Sequence, residues 1–425
     1  MRFTQVDEWL RWMETQHPRA IDLGLERVAL VASRLDINLK MPVITVAGTN
    51  GKGSCVALMS AILGADGYRV GAYTSPHINQ YHERIVVAGE RVDDNSLCTA
   101  FSVIDEARGD TSLTYFEFGT LAALLVFQQQ SVDVAVLEVG LGGRLDAVNI
   151  VDADVAIVTS ISIDHEAWLG NDRETIGREK AGIFRTKRPA IIGESTPPKS
   201  VLDYGKKLGA TLICRGAQFD AQQSADGWAW KGQAANGDPL SYLDLPKPPI
   251  FIDNAATVLQ ALQYVGLPVS YTAIKQGLGS VKIAGRCQHV QYRGIDVVLD
   301  VAHNPASVQI LVDHLAANPV SGRSDCLFAV MADKAITDIV AISIPCFDHW
   351  HLAPLESNDR AASTVSVSAL LASMNVDSVS VANSFAGCMN TAMSGLSAGD
   401  RLVVFGSFFT VAAAMAELAD LIGLE

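Results

Sequence analysis

The stretch that most constrains this chain is residues 43–54, VITVAGTNGKGS. Val43 to Ala47 are apolar or β-branched and fit a buried strand, and the run CVALMSAIL from Cys55 onward fits a helix. Between them lie Gly48, Thr49, Asn50, Gly51, Lys52, Gly53 and Ser54. Strand, glycine-rich turn, lysine and serine, then helix is the layout of a loop that binds phosphate. Glycines let backbone N–H groups face an anion, and the helix amino end adds partial positive charge. Lys52 would supply a point charge for β- and γ-phosphates, and Ser54 a hydroxyl for Mg²⁺. The spacing departs from G-x-x-x-x-G-K-[ST]. Val46 stands where the first glycine would fall, and Gly53 separates Lys52 from Ser54. A glycine turn without a ligand is the bland alternative, but a lysine between two glycines adds little to packing.

A chain of 425 residues is long for one core, so two domains are expected. The formal charge of −14 argues against a nucleic-acid surface, which needs a basic face. Anionic ligands must then be met by local N–H groups, metal and a few cations. The seven cysteines form no C-x-x-C pair and their number is odd, which fits a reducing compartment better than a disulfide framework. The start, MRFTQVDEWLRWME, is too charged for a signal peptide, and the apolar run 402–416 is too short to span a bilayer. A cytoplasmic protein with no membrane partner is expected.

Along the chain, residues 5–35 read as two helices around His17-Pro18, and 93–108 and 117–129 are helical in period. Thr74-Ser75-Pro76-His77 follows a short strand. A serine before proline is often a turn device, and at a strand end it can also place a hydroxyl beside a nucleotide. Val134 to Gly140 is an apolar strand with Glu138 at its carboxyl end, where P-loop enzymes keep a metal-holding carboxylate. A buried strand does not tolerate an unpartnered Glu. Another strand, 154–159, leads to His165, which can be a ligand or a capped turn residue. Arg178-Glu179-Lys180 taken alone is a charged helix turn on a solvated face. Trp228 and Trp230 alternate in a short strand. Asn254 opens a helix and can be its N-cap. Residues 278–286 read as a linker, and from 295 to 425 strands and helices alternate, which implies a smaller doubly wound α/β domain. Within it Asp300 ends an apolar strand, and His303 precedes a helix that starts at Asn304-Pro305.

GTNGKGS resembles the nucleotide loop of the Mur ligase superfamily, in particular its folate branch, the folylpolyglutamate and dihydrofolate synthases. TSPH, EVGLGGRLDA, DHEAWLG, REKAGI, AGRCQ and DVAHNP follow in the family's order over nearly the whole chain. The fold class implied is α/β. A P-loop Mur-ligase-like ATPase domain with a mostly parallel sheet would cover residues 1–284, and a C-terminal glutamate-ligase α/β domain residues 285–425. The loop from Gly48 to Ser54 would bind ATP, together with Asn254, Arg286 and Asp300. Arg286 sits in a family PGR motif with Ala284 in place of Pro.

Ser75, Glu138, His165 and Lys180 would hold Mg²⁺ at two sites. Lys180 would be carbamylated by CO₂, and the histidine ligand makes Mn²⁺ a workable substitute. Lys52, Lys180, Asp300 and His303 would be the catalytic set. The dihydropteroate pocket would be lined by Ile21, Asp22, Leu23 and Gly24, by Thr114, Tyr115, Phe116 and Glu117, and by Leu145, Asp146 and Ala147. Met331 to Lys334 and Phe405 to Phe408 would be lining or scaffold.

The reaction implied joins L-glutamate to 7,8-dihydropteroate at the expense of ATP. The same site would add further glutamates to reduced folates, with the chain acting as a monomer. Phosphorylating the acid would give an acyl phosphate, and the amine would then expel phosphate. Asp300 and His303 would act across the cleft when the second domain closes. The alternatives are a monofunctional folylpolyglutamate synthase, a Mur-type peptidoglycan ligase and a non-catalytic ATP-binding regulator. A peptidoglycan ligase would carry a UDP-binding domain ahead of the loop. A regulator need not keep Glu138, His165, Lys180 and Asp300 together.

Overall fold

The computed structural model describes residues 1–223, 227–356 and 358–422. The chain divides into two compact units, Met1–Lys282 and Ile283–Glu425. The first opens with α1 (Val6–Met13) and α2 (Glu26–Arg34), then β1 (Val43–Ala47), α3 (Lys52–Ala65) and β2 (Val70–Tyr73). It continues with β3 (Ile85–Val87), β4 (Glu90–Arg91), α4 (Asp94–Arg108), α5 (Tyr115–Gln129), β5 (Val134–Glu138) and β6 (Val155–Val158). Next come α6 (Glu166–Leu169), α7 (Arg173–Lys180), β7 (Pro189–Ile192), α8 (Lys199–Leu208) and β8 (Thr211–Cys214). An antiparallel sheet of β9 (Asp220–Gln223), β10 (Trp228–Gln233) and β11 (Pro239–Leu245) follows, then α9 (Ile252–Leu262) and α10 (Tyr271–Ser280).

Eight strands form the main sheet in the order β4-β3-β2-β5-β1-β6-β7-β8. From β2 to β8 it is parallel, and β3 and β4 close one edge antiparallel. All five residues of β1 are buried, as a central parallel strand requires. Val43, Ala135 and Leu137 face a core shared with α1, α2, α4 and α5. α3 packs on β2 and β5 and is flanked by α9 and α10. Because the strands are parallel, the carboxyl ends of β1, β2, β5 and β6 lie together, and the chain leaves all four into loops there. Register sets the detail: Val46 lies opposite Glu138, and Ala47 opposite Val158.

The second unit holds β12 (Gln288–Tyr292), β13 (Ile295–Asp300), α11 (Pro305–Ala317), β14 (Ser324–Phe328), α12 (Ile336–Ser343) and β15 (His349–Leu352). It ends with α13 (Thr364–Ser373), β16 (Val379–Val381), α14 (Phe385–Ser394), β17 (Arg401–Phe405) and α15 (Phe408–Ile422). Its six-stranded sheet runs β12-β13-β17-β14-β15-β16, parallel except for β12. The expected α/β class with a mostly parallel ATPase sheet and a smaller α/β domain is what the chain adopts.

Some elements differ from expectation. α3 starts at Lys52, ahead of the apolar run, because Gly51 takes a left-handed conformation (φ 85°) as its N-cap. α9 starts at Ile252 with Phe251 as its cap, so Asn254 lies within the first turn and is not the N-cap. α10 continues through Ser280, into what reads as linker. β12 alternates only between half-buried and exposed residues, a weak strand signal, whereas α14 buries Phe385, Cys388, Met389, Ala392 and Met393 at helical spacing. Trp228 and Trp230 do share β10, both buried, their Nε1–H groups donating to the carbonyls of Pro246 and Ala256. Among the described residues, no helix is long and apolar enough to cross a membrane.

Candidate active site

The loop between β1 and α3 is held by the end of β6. Thr49 N–H donates to the Ser160 carbonyl (2.7 Å), Thr49 Oγ1 to the Ser162 carbonyl (3.0 Å), and Thr159 Oγ1 to the Asn50 carbonyl (2.6 Å). A Cβ at Gly48 would land 1.8 Å from Thr159 Oγ1, and one at Gly51 would meet the Asn254 amide at 2.7 Å. Only glycine fits this path, and the Asn254 side chain lies directly on the loop. The first turn of α3 supplies N–H groups that have no intrahelical acceptor by geometry.

On one side of the loop, Glu138 and Ser75 come together from neighbouring strands. Ser75 N–H donates to Glu138 Oε2 at 3.2 Å, and that carboxylate lies 3.5 Å from where a Gly53 Cβ would be. Buried Glu138 thus sits over the amino end of α3. On the other side a cleft is lined by Gly48, Thr49, Lys52, Gly140, Gly142, Asp164, His165 and Lys180. His165 is exposed and caps α6 with left-handed backbone angles.

Lys180, at the end of α7, is buried, which overturns the solvated-face reading of its charged turn. Arg178 stacks over Tyr204 at 3.6 Å and Glu179 pairs with Arg144 at 2.9 Å, so the neighbours turn elsewhere while Lys180 points inward. Its Nζ donates to the Gly48 carbonyl at 3.1 Å. Burial, with the Lys52 ammonium beside it, pushes the Lys180 amine down to about 7. Lys52 Nζ donates to the carbonyls of Gly48 and Thr49, both at 3.1 Å.

The donor set suits a divalent ion associated with phosphate: the Glu138 carboxylate and Ser75 hydroxyl on one side, and the His165 imidazole on the other, in a cleft that Lys180 also lines. Among the described residues, no three His, Cys, Asp or Glu side chains gather as a metal cluster. Glu138 and His165 are the only members of the expected set of those types, and only His165 and Lys180 line the cleft.

The three segments expected to form a pocket beyond the loop also converge. α2 packs on α5 and on the short turn Ala147–Ile150, and Phe116 covers Gly140, where a Cβ would approach its ring to 2.6 Å. Thr114 is the N-cap of α5, with Glu117 completing a capping box. Tyr115 and Phe116 are half-buried, and Phe116 meets Tyr73 at 6.0 Å. Asp146 is buried, accepting N–H bonds from Leu141 (2.8 Å) and Val148 (3.0 Å). Burial outweighs those bonds and raises its carboxyl to about 7. Leu145 is half-buried beside it, Ala147 is buried, Ile21 is 37% exposed, and Leu23 and Gly24 are half-buried.

In the second unit, Asp300 ends β13 with its oxygens committed to the N–H groups of Cys287 and Ala302, both at 2.7 Å. His303 Nδ1 lies 2.8 Å from the Val301 carbonyl. A carbonyl only accepts, so Nδ1 carries a proton. Asn304 is the N-cap of α11. The Arg286 guanidinium lies 5.1 Å over the ring of Phe408, which also meets the His303 ring at 6.1 Å. Sequence reasoning missed Thr159, Ser160 and Asp164. The only available signal was Asp164 directly before His165 at a strand end; the hydroxyls carry none.

Comparisons with known proteins cover both units. Residues 46–226 match the Mur ligase middle domain, and residues 285–408 the Mur ligase glutamate ligase domain. The dihydrofolate synthase/folylpolyglutamate synthase of Escherichia coli K12 is 45% identical over 408 residues, spanning 96% of this chain and 94% of its own. The structure of E. coli FolC in complex with DHPP and ADP superposes with a TM-score of 0.93 at 44% identity, covering 98% of each chain. A bifunctional folylpolyglutamate synthase/dihydrofolate synthase with Mn, AMPPNP and L-glutamate bound gives a TM-score of 0.90 at 43% identity, covering 97% of this chain and 98% of the other.

Proposed function

Because this chain belongs to the dihydrofolate synthase/folylpolyglutamate synthase family of Mur ligases, we propose that it is an ATP-dependent ligase joining L-glutamate to 7,8-dihydropteroate and extending reduced folates. The observation that carries this reading is the convergence, at one end of the main sheet, of the glycine-built phosphate loop with buried Glu138 and Lys180. The relatives' bound ADP, DHPP, AMPPNP, Mn and L-glutamate support the same assignment of ligands.

A carboxylate is a poor acyl donor because its leaving group would be oxide. Transfer of a γ-phosphoryl group to it gives an acyl phosphate, from which the glutamate amine can displace phosphate. The protein's task is to position these groups and neutralise charge. The loop amides of 48–54 and Lys52 would bind the polyphosphate, and Asn254, lying on Gly51, would fix the nucleotide beside it. Glu138, Ser75, His165 and Lys180 would hold the divalent ion. A bound divalent ion there would supply positive charge to offset that of the phosphates.

A lysine amine lowered to about 7 is partly neutral at physiological pH, the form that adds CO₂. The carbamate would convert a cation unsuited to metal into an oxygen ligand. Asp300, His303 and Arg286 would be the functional residues of the glutamate-ligase domain. Phe116 and Asp146 would receive the pterin. All seven cysteines are free thiols, which supports a cytoplasmic site of action.

A coupled assay of phosphate release tests the proposal. ATP, dihydropteroate and L-glutamate together should give turnover that vanishes when any one is left out. Tetrahydrofolate in place of dihydropteroate separates the bifunctional enzyme from a monofunctional one. No ATP consumption with either pterin acid would overturn the reading.

A further inference from the structure

Arg27 stands in the first turn of α2, where a cation opposes the helix dipole. Its partners explain its presence. Nη1 donates to Asp22 Oδ2 at 2.5 Å, and Nη2 donates to the Asp22 carbonyl and to Glu117 Oε1, both at 3.0 Å. Its Nε is buried and makes no hydrogen bond. Glu117 is buried as well, and its other oxygen accepts the Thr114 N–H at 2.7 Å. One guanidinium therefore ties the segment 21–24 to the amino end of α5, and Glu117 passes that restraint to Thr114. Both of its oxygens are engaged within the protein. Phe116, adjacent to Glu117, lies over Gly140, where a Cβ would approach its ring to 2.6 Å. The fork matters: a guanidinium reaches two carboxylates in fixed geometry, and an ammonium does not.

We propose that Arg27 is a positioning residue that sets the width of the pterin pocket, with Glu117 as its relay to α5 and not itself the acceptor for the pterin ring. This rests on the pterin-ligase reading above. The pterin acid is then recognised across a gap whose two sides are pinned by one side chain, while nucleotide binding is independent of it.

Steady-state phosphate release by the full chain tests this with Arg27→Gln, Arg27→Lys and Glu117→Gln. Each should raise the KM for dihydropteroate about tenfold or more, the scale of a lost charge-assisted bond. The KM for ATP should move by no more than about twofold. Arg27→Gln combined with Glu117→Gln should be no worse than either alone, as expected of one shared interaction.

An unchanged dihydropteroate KM in Arg27→Gln, a parallel rise in the ATP KM, or full rescue by Arg27→Lys would each overturn the proposal. Should Arg27→Gln not fold, the other two variants decide the matter, with thermal melts reporting their integrity. Phe116→Ala and Asp146→Asn keep the two levels apart. If neither moves the dihydropteroate KM, the pocket assignment itself fails. If they do and the Arg27 variants do not, only the clamp fails.

Discussion

At the phosphate loop, the groups offered to a ligand are mostly main chain. At the proposed pterin pocket around Phe116 they are side chains. The loop is contiguous, and its shape depends on positions where no Cβ fits, Gly48 against Thr159 and Gly51 against Asn254. Of the three separated segments proposed to form the pocket, two, 21–24 and 114–117, are tied by the Arg27–Asp22–Glu117 ion pairs. A chain that must grip a polyphosphate can do so with backbone amides, which are present whatever the side chain. A chain that must select one planar acid needs particular side chains at a particular spacing. The first design tolerates almost no added atoms. The second tolerates substitution but loses selectivity.

The comparison is most exposed at Lys180, a buried side chain whose Nζ donates to the Gly48 carbonyl of the loop. Lys180→Ala should lower phosphate release by at least about a hundredfold, the scale of a lost electrostatic group, while ATP binding by titration stays largely intact. Partial recovery with acetate would support the carbamate role; full activity in the untreated variant would end it. Gly48→Ala probes the steric half of the contrast. An added Cβ 1.8 Å from Thr159 Oγ1 must displace the loop. Nucleotide affinity should fall on the order of tenfold and stability by about 1–3 kcal/mol. Phe116→Leu, by contrast, should raise only the dihydropteroate KM. Equal damage to ATP binding from both would erase the distinction drawn here.

Acidity sharpens it further. The carboxyl of Asp146 is raised from 3.8 to about 7, so the folded protein binds the extra proton that the unfolded chain has released. Stability from this group is complete below about pH 4 and declines as pH rises toward 7, by about 2 kcal/mol between pH 5 and 7. Denaturant melts of Asp146→Asn should lack that slope, and the pH dependence of the dihydropteroate KM should flatten with it. The smallest effect is expected at Asp172, the N-cap of α7, whose Oδ1 accepts the Thr175 N–H at 2.8 Å. Asp172→Ala should cost about 1 kcal/mol in a thermal melt and leave both KM values near wild type.

The same contrast decides what could be read from the residues alone. Val43 to Ser54 is legible because strand, turn and helix are adjacent, although the contacts that require Gly48 and Gly51 come from distant Thr159 and Asn254. Glu138 is legible because an acid in an apolar strand demands a partner. Lys180 is not, since REK on a helix reads as surface until the loop after β5 is seen to fold over it. The pocket was reachable through family resemblance only. No spacing rule links Asp22, Arg27 and Glu117, because the contact joins positions 90 residues apart. Asn254 illustrates the reverse error: a local cap assignment was available, and a contact with Gly51 across the fold determined its position instead.

The turn from Gly140 to Asp146 is locked onto α7. Arg144 N–H donates to the Glu179 carbonyl at 2.9 Å, and a Cβ at Gly143 would press to 3.0 Å against the carbonyls of both Glu179 and Lys180. Asp146, in the turn, and Lys180, at the end of α7, are therefore joined through these backbone contacts. For a medicinal chemist this amounts to a ruler. A compound placed in the proposed Phe116 pocket could be extended toward the 48–54 loop with a stiff linker of set length, because direct backbone contacts join the turn to α7.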